Sequence, residues 1–75
     1  MEQIIVKIIK SINENVQFSN DEDLFVKGII DSFAVVNLVA EIEESFKIEF
    51  EAEEIVPENF QSVKAIVDFL HGKMG

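Results

Sequence analysis

The chain is short, strongly acidic and free of cysteine. Its 75 residues include fifteen Asp and Glu against six Lys and no Arg, which gives a formal net charge of −9 at pH 7. A chain of this length has room for one small core, and the lack of cysteine excludes disulfides and thiolate metal sites. The negative charge disfavours binding to nucleic acid and to anionic membranes, and favours partners with basic surfaces.

The sequence shows no secretory or membrane segment. The first residues carry no basic region of the kind that opens a signal peptide, and no apolar run approaches the ~20 residues of a membrane span. The apolar fraction of 48% argues against disorder. We therefore expect a single domain over residues 1–75, monomeric, cytoplasmic and without membrane insertion.

The first helix is predicted from Glu2 to about Asn15. Its apolar side chains recur at helical spacing and form one stripe: Ile4, Ile5, Ile8, Ile9 and Ile12. A strand is the alternative, because so many of these residues are β-branched. We favour a helix, since the pattern persists over several turns without Gly or Pro.

A long connection follows, from Val16 to Asp31. Its apolar residues are numerous enough to anchor it across the helices: Phe18, Leu24, Phe25, Ile29 and Ile30. The pair Asp21 and Asp23 is compatible with a calcium loop, but Val26 and Ser32 occupy the positions where such a loop needs Gly and Glu. We therefore predict no metal site here.

The central helix is predicted from about Ser32 to Phe46, with Ser32 as its N-cap. One face should pack on the core through Val35, Leu38, Val39, Ile42 and Phe46. Phe33 and Val36 lie off that face, so exposed apolar side chains accompany a serine hydroxyl at a helix N-terminus. Such an end stabilises a phosphate group.

The last third is predicted to hold an extended linker and two further elements. Ile48 should point inward from the linker Lys47–Glu51, and a short turn or helix should span Pro57–Phe60. The last helix should begin after a Ser62 cap and end at Gly72. Its apolar face comprises Val63, Ile66, Val67 and Leu70. The predicted fold class is all-α, a bundle of three main helices plus one short helix or turn.

The chain lacks a catalytic apparatus. Its one histidine, His71, is far in sequence from Ser32, and a nucleophilic serine needs a base within hydrogen-bond reach. An esterase or similar hydrolase is therefore disfavoured, and we predict that the protein is not an enzyme and has no catalytic residues.

One combination of residues is more specific than any of these features. It consists of Gly28, then after two intervening residues the pair Asp31-Ser32, followed by Phe33, Val36, Leu38-Val39, Ile42-Glu43-Glu44 and Phe46, with Leu24-Phe25 upstream. Nearly the whole chain, to about Leu70, resembles the acyl carrier proteins and their peptidyl and D-alanyl relatives. The signature of that family is Gly-x-x-Asp-Ser-Leu. The chain departs from it at Phe33, where Leu is usual, and has Asn37 where many fatty-acid carriers have Glu.

The resemblance implies a function. Ser32 would carry a covalent 4′-phosphopantetheine arm, added from coenzyme A by a phosphopantetheinyl transferase with Mg²⁺, and Asp31 would support the site. An acyl or aminoacyl unit would ride on the arm as a thioester, loaded by a ligase and presented to a downstream transferase or synthase. Partner enzymes would contact an exposed face of the central helix, made of Phe33, Val36, Ala40, Glu43 and Glu44.

Two points stay open from the sequence. The alternative function is an unmodified interaction module that keeps the carrier fold, although such a module has no need of the Ser32 hydroxyl. The cargo is also open among fatty acyl, polyketide, amino acid and D-alanine. Phe33, Asn37 and the motif Gly-Ile-Ile-Asp-Ser resemble the D-alanyl and specialised stand-alone carriers more than a fatty-acid carrier.

Overall fold

The computed structural model describes residues 1–14 and 16–74, and within these ranges the chain folds into four α-helices without a strand. They are α1 (Glu2–Ile12), α2 (Ser32–Phe46), α3 (Pro57–Phe60) and α4 (Val63–Met74), with a 3₁₀ turn over Ala52–Glu54. The predicted all-α bundle of three main helices and one short helix is confirmed. Asn15, near the predicted end of the first helix, and Gly75 lie outside the described residues.

The core is formed by the apolar faces of the helices together with the loop that precedes α2. Helix α1 packs against α2 and α4, and α3 packs against α4. The buried apolar residues form one cluster: Ile5, Ile8, Ile9, Leu24, Ile29, Ile30, Leu38, Val39, Ile42, Phe60, Val63, Ile66 and Leu70. Val35, Phe46 and Ile48 are half-buried at its edge. The residues that were predicted to form the core faces of the helices are therefore buried or half-buried, except for Ile4, which is exposed.

Backbone hydrogen bonds join the long loop to the other end of the chain. Leu24 N–H donates to the carbonyl of Gln61 at 2.6 Å, and Lys64 N–H donates to the carbonyl of Asn20 at 2.8 Å. Because these contacts link the loop to the junction between α3 and α4, the segment that leads into α2 has a defined position.

Two predicted helix ends are wrong. Helix α1 ends at Ile12, because Asn13 is extended and its side-chain amide donates to the carbonyl of Ile29 at 3.3 Å. Helix α4 continues through Gly72 to Met74. A glycine in a helix interior is about 1 kcal/mol less favourable than alanine. The helix nevertheless continues past Gly72. The predicted Ser62 cap is correct, since its Oγ accepts from Ala65 N–H at 3.0 Å.

None of the helices in the described part of the chain combines the length and apolar composition that a membrane span requires.

Candidate functional site

The N-cap of α2 is Asp31, and the prediction that Ser32 caps this helix is wrong. Asp31 has extended backbone angles (φ −135°, ψ −171°), and its Oδ1 accepts from the N–H of Ala34 at 2.9 Å. Ser32 is then the first residue with helical geometry. The cap is provided by the residue before the serine, which leaves the Ser32 hydroxyl out of the capping hydrogen bonds.

Ser32 is exposed at the first turn of a fifteen-residue helix. Backbone N–H groups at such an end have no partners within the helix, and the helix dipole is positive there. The start of α2 holds no basic side chain, so the favourable field for an anion comes from the backbone. This position therefore combines an accessible hydroxyl with an environment that stabilises an attached phosphate.

An apolar groove lies beside Ser32. Its volume is about 390 Å³, and one side is formed by Val35 and Val36 of α2. The other lining residues are Phe25 of the loop before α2, Ile55 and Val56 after the 3₁₀ turn, and Pro57 at the start of α3. Sequence reasoning did not assign these four residues to the site. The available signal was the apolar run Ile55-Val56-Pro57, which interrupts an acidic stretch that contains Glu53, Glu54 and Glu58.

The loop before α2 is folded into a tight turn that places Phe25 in this groove. Asp23 Oδ1 accepts from the N–H groups of Phe25 and Val26, both at 3.0 Å. Gly28 follows with φ +73°, a left-handed conformation that favours glycine. The next two residues, Ile29 and Ile30, are buried in the core. Their burial fixes the chain directly before Asp31, and the positive φ of Gly28 is the physical reason for a glycine ahead of the Asp-Ser pair.

The outer face of α2 exposes large apolar side chains next to the serine. Phe33 is 84% exposed and Val36 is 67% exposed. Ala40 and Glu44 are exposed further along the same helix. Val26, on the loop, is also exposed. The first turns of α2 therefore present an apolar surface to solvent beside Ser32.

Glu43 is placed differently from Glu44. Its side chain is half-buried, and Oε2 accepts from the N–H of Phe50 at 2.8 Å. Its carbonyl accepts from the N–H groups of Lys47 and Ile48. Glu43 therefore organises the turn after α2, a structural role that the sequence analysis did not anticipate.

The remaining candidate groups do not extend the site. His71 is exposed in the last turn of α4. Across residues 1–14 and 16–74, no group of three or more His, Asp or Glu side chains is arranged to hold a metal ion.

The fold and the site define a class of structure: a small helical bundle whose exposed serine lies at a helix start beside an apolar groove. A family model described as the phosphopantetheine attachment site matches residues 2–70, and the chain belongs to that family.

Named relatives agree with this assignment. The chain is 36% identical over 67 residues to a D-alanyl carrier protein of Streptococcus uberis, a match that covers 89% of this chain and 85% of that protein. It is 30% identical over 76 residues to the D-alanyl carrier protein of Streptococcus suis, with 95% and 96% covered. The corresponding protein of Streptococcus pyogenes serotype M5 is 31% identical over 68 residues, with 89% and 86% covered.

The family membership confirms three predictions from the sequence. The protein is a carrier and not an enzyme, its cofactor is a covalently attached 4′-phosphopantetheine, and carriers of this family work with a phosphopantetheinyl transferase and a loading ligase. The residues at the start of α2 fit this group. The exposed hydroxyl suits a phosphodiester, the helix N-terminus suits its charge, and the apolar groove suits the methyl-bearing part of the arm.

Proposed function

We propose that Ser32 Oγ is the attachment atom, and that the protein carries an aminoacyl unit, D-alanine, as a thioester on the arm. The main support for attachment at Ser32 is the position of its hydroxyl. It is exposed at the first turn of α2, beside the groove and outside the capping hydrogen bonds. The arm supplies the thiol that a chain without cysteine lacks. The carrier family named above supports this reading over an unmodified interaction module.

Asp31 supports the site in two ways under this proposal. Oδ1 caps α2 and thereby holds Ser32 in the first turn. The carboxylate also adds negative charge beside Ser32, which a transferase could match with its metal ion or with basic residues. The same charge repels the finished phosphodiester, so the backbone N–H groups at the helix start must offset this repulsion.

The D-alanine assignment rests on the relatives, which are D-alanyl carrier proteins. The groove is compatible with it. All seven of its lining residues are uncharged, so they provide no partner for the ammonium group of an amino acid. The arm would contact the groove and the alanyl group would remain in water, where its charge is solvated.

The partner-binding surface is proposed to be the exposed face of α2, with Phe33, Val36 and Ala40 as its apolar part. Glu44 supplies an exposed carboxylate for basic partners, and the half-buried Glu43 lies at the edge. The partners under this proposal are the transferase, an aminoacyl-loading ligase and a downstream transferase or synthase. Charge complementarity would accelerate these encounters, since the chain carries a formal charge of −9.

We further infer a cytoplasmic monomer with a single domain over residues 1–75. The single cluster of buried residues, which draws on all four helices, supports one domain. The net charge of −9 disfavours self-association and binding to nucleic acid. Dependence on a transferase that uses coenzyme A supports a cytoplasmic location.

Intact mass spectrometry tests the attachment. After incubation with transferase, Mg²⁺ and coenzyme A, we expect the wild-type chain to gain the mass of one phosphopantetheine, and Ser32→Ala to gain none. Ser45→Ala is the matched control, since Ser45 is also exposed on α2. An arm on the Ser32→Ala variant would show that the attachment atom lies elsewhere.

The cargo is tested on the modified protein. Incubation with a D-alanine-activating ligase and ATP should add one alanyl mass that is released by hydroxylamine, as expected of a thioester. An acyl–acyl carrier protein synthetase, supplied with a fatty acid and ATP, serves as the competing loading enzyme. Efficient loading by that enzyme and none by the D-alanine ligase would contradict the proposed cargo.

A further inference from the structure

The segment that completes the groove is not held by the core. Of its three groove residues, Ile55 and Val56 lie between the 3₁₀ turn and α3, and Pro57 is the first residue of α3. From residue 51 to residue 59 no residue is buried, and the first buried one is Phe60. A groove wall without a hydrophobic anchor must be positioned by other contacts, and in this segment those contacts are polar.

The polar contacts converge on Glu54. Its Oε1 accepts from Glu51 N–H at 2.7 Å and from Lys73 Nζ at 2.9 Å. Its backbone carbonyl accepts from the side-chain amide of Asn59 at 2.8 Å. One residue therefore joins the 3₁₀ turn, the short helix α3 and the end of α4, and the three groove residues lie directly after it.

Lys73 is itself well positioned. Its Nζ lies 5.7 Å from the ring centroid of Phe50, which stacks on Phe69 at 5.8 Å and packs against the buried Phe60 at 5.6 Å. The Lys73 and Glu54 side chains are only 19% and 24% exposed. By contrast, the other ion pair of α4, between Lys64 and Asp68, is 70% and 65% exposed. Partial burial weakens screening by water and salt, so the Glu54–Lys73 ion pair is the more effective of the two.

We propose that the Glu54–Lys73 ion pair positions Ile55, Val56 and Pro57 as one wall of the groove, and so determines how closely the groove holds the phosphopantetheine arm. The part that concerns the arm rests on the proposed attachment at Ser32, and the part that concerns the wall does not. Glu54 and Lys73 are positioning residues that act through the wall without contact with the arm. The Glu54 carboxylate accepts from both Glu51 N–H and Lys73 Nζ, so the same oxygen joins the 3₁₀ turn to the end of α4.

The wall is tested first on the unmodified chain by ¹⁵N relaxation. In the wild type, the backbone order parameters of Ile55 and Val56 should be close to those of Leu38 and Ile42 in α2. Lys73→Met keeps most of the aliphatic stem and removes the charge, and it should lower the Ile55 and Val56 values toward those of flexible backbone, below about 0.6, without affecting α2. Lys73→Arg should restore them. Lys64→Met, which breaks the exposed pair on the same helix, is the matched control and should change neither.

The contact between the arm and the groove wall is tested next, on the same variants after treatment with transferase. In the wild type, attachment should shift the methyl resonances of Ile55 and Val56 as well as those of Val35 and Val36. In Lys73→Met the shifts at Ile55 and Val56 should shrink at least twofold, while those on α2 persist.

The outcomes separate the two proposals. Order parameters unchanged in both Lys73→Met and a second variant, Glu54→Gln, would overturn the positioning role. A wild-type chain that gains the arm without shifts at Ile55 or Val56 would overturn the contact between arm and wall. A wild-type chain that gains no arm would refute the proposed function, and the relaxation data would still decide the role of the ion pair.

Discussion

Asp31 and Ala34 are joined by the hydrogen bond that begins α2, with Asp31 Oδ1 2.9 Å from the Ala34 backbone nitrogen. The bond spans Ser32 and holds it in the first helical turn without using its hydroxyl. Asp31 therefore has a structural role, which its variants can separate from any role of its charge.

Replacement of Asp31 by Ala should destabilise the protein by about 1 kcal/mol, because the cap is lost. Asp31→Asn should keep most of the stability, since Asn is an equally good cap. Ser32→Ala should change the free energy of unfolding little, because Ser32 does not cap the helix. Urea denaturation of the three variants provides the measurement. A larger loss for Ser32→Ala than for Asp31→Ala would contradict the assignment of the cap. If modification is slower in Asp31→Asn at unchanged stability, the carboxylate charge acts on the transferase.

Phe33→Ala and Leu38→Ala should behave in opposite ways. Phe33 is 84% exposed, so its truncation should change stability by no more than ~0.5 kcal/mol while slowing phosphopantetheine transfer or loading. Leu38 is fully buried, and its truncation should cost roughly 2–5 kcal/mol. Melting curves and transferase rates, taken at a temperature where both variants are folded, make the comparison. Equal rates for Phe33→Ala and wild type would remove Phe33 from the partner-binding surface.

The two neighbouring glutamates of α2 should also differ. Glu43→Ala should lose about 1 kcal/mol or more, because the N–H of Phe50 loses its acceptor in a half-buried position. Glu44→Lys should leave stability nearly unchanged but weaken binding to a basic partner, with a loss that shrinks as salt rises. Thermal melts and titrations at two salt concentrations measure these effects. A salt-independent loss for Glu44→Lys would mean that its contact with the partner is not electrostatic.

Gly28→Ala should destabilise the loop before α2 through its backbone alone. Gly28 has φ +73°, and a Cβ built there would have no neighbour within 4 Å, so steric crowding plays no part. The left-handed conformation should cost alanine about 1–2 kcal/mol. Gly28→Asn is the control, since Asn tolerates this conformation better and should lose less. Equal losses for the two variants would indicate a cause other than φ.

The stability of the folded protein should decrease as the pH is lowered, in part because Glu54 becomes protonated. The hydrogen bond from Glu51 N–H, and after it the hydrogen bond and charge of Lys73, lower the pKa of Glu54 below its usual value. A group with a lowered pKa in the folded state stabilises the fold above its unfolded-state pKa, and that contribution is lost as pH falls through the folded-state pKa. The pKa of Glu22 is likewise lowered, first by Lys27.

Lys73→Met should therefore reduce the dependence of melting temperature on pH in the acidic range, without abolishing it, because the Glu51 hydrogen bond remains. Lys64→Met serves as the control and should change the slope less. A slope in Lys73→Met equal to that of the wild type would show that the ion pair contributes nothing to the titration of Glu54.

Local pattern in the sequence was sufficient for much of the fold. The predicted span of α2, Ser32–Phe46, and the short element Pro57–Phe60 agree with the structure. Helical periodicity and capping act between residues only a few positions apart, so they can be recognised without a tertiary structure. The exposed positions of Phe33 and Val36 followed from the same periodicity, because a helix that buries Leu38 and Ile42 must turn them outward.

The choice of cap and the form of the groove were decided by tertiary structure. Asp31 and Ser32 are both good capping residues, and the selection depends on where the buried Ile29 and Ile30 fix the chain before the helix. The groove beside Ser32 has one wall some twenty residues later in the chain, at Ile55–Pro57. Periodicity along one element carries no information about a neighbour so distant in sequence. The tertiary structure, in which Glu54 and Lys73 come into contact across nineteen residues, brings that wall next to the helix that bears the serine.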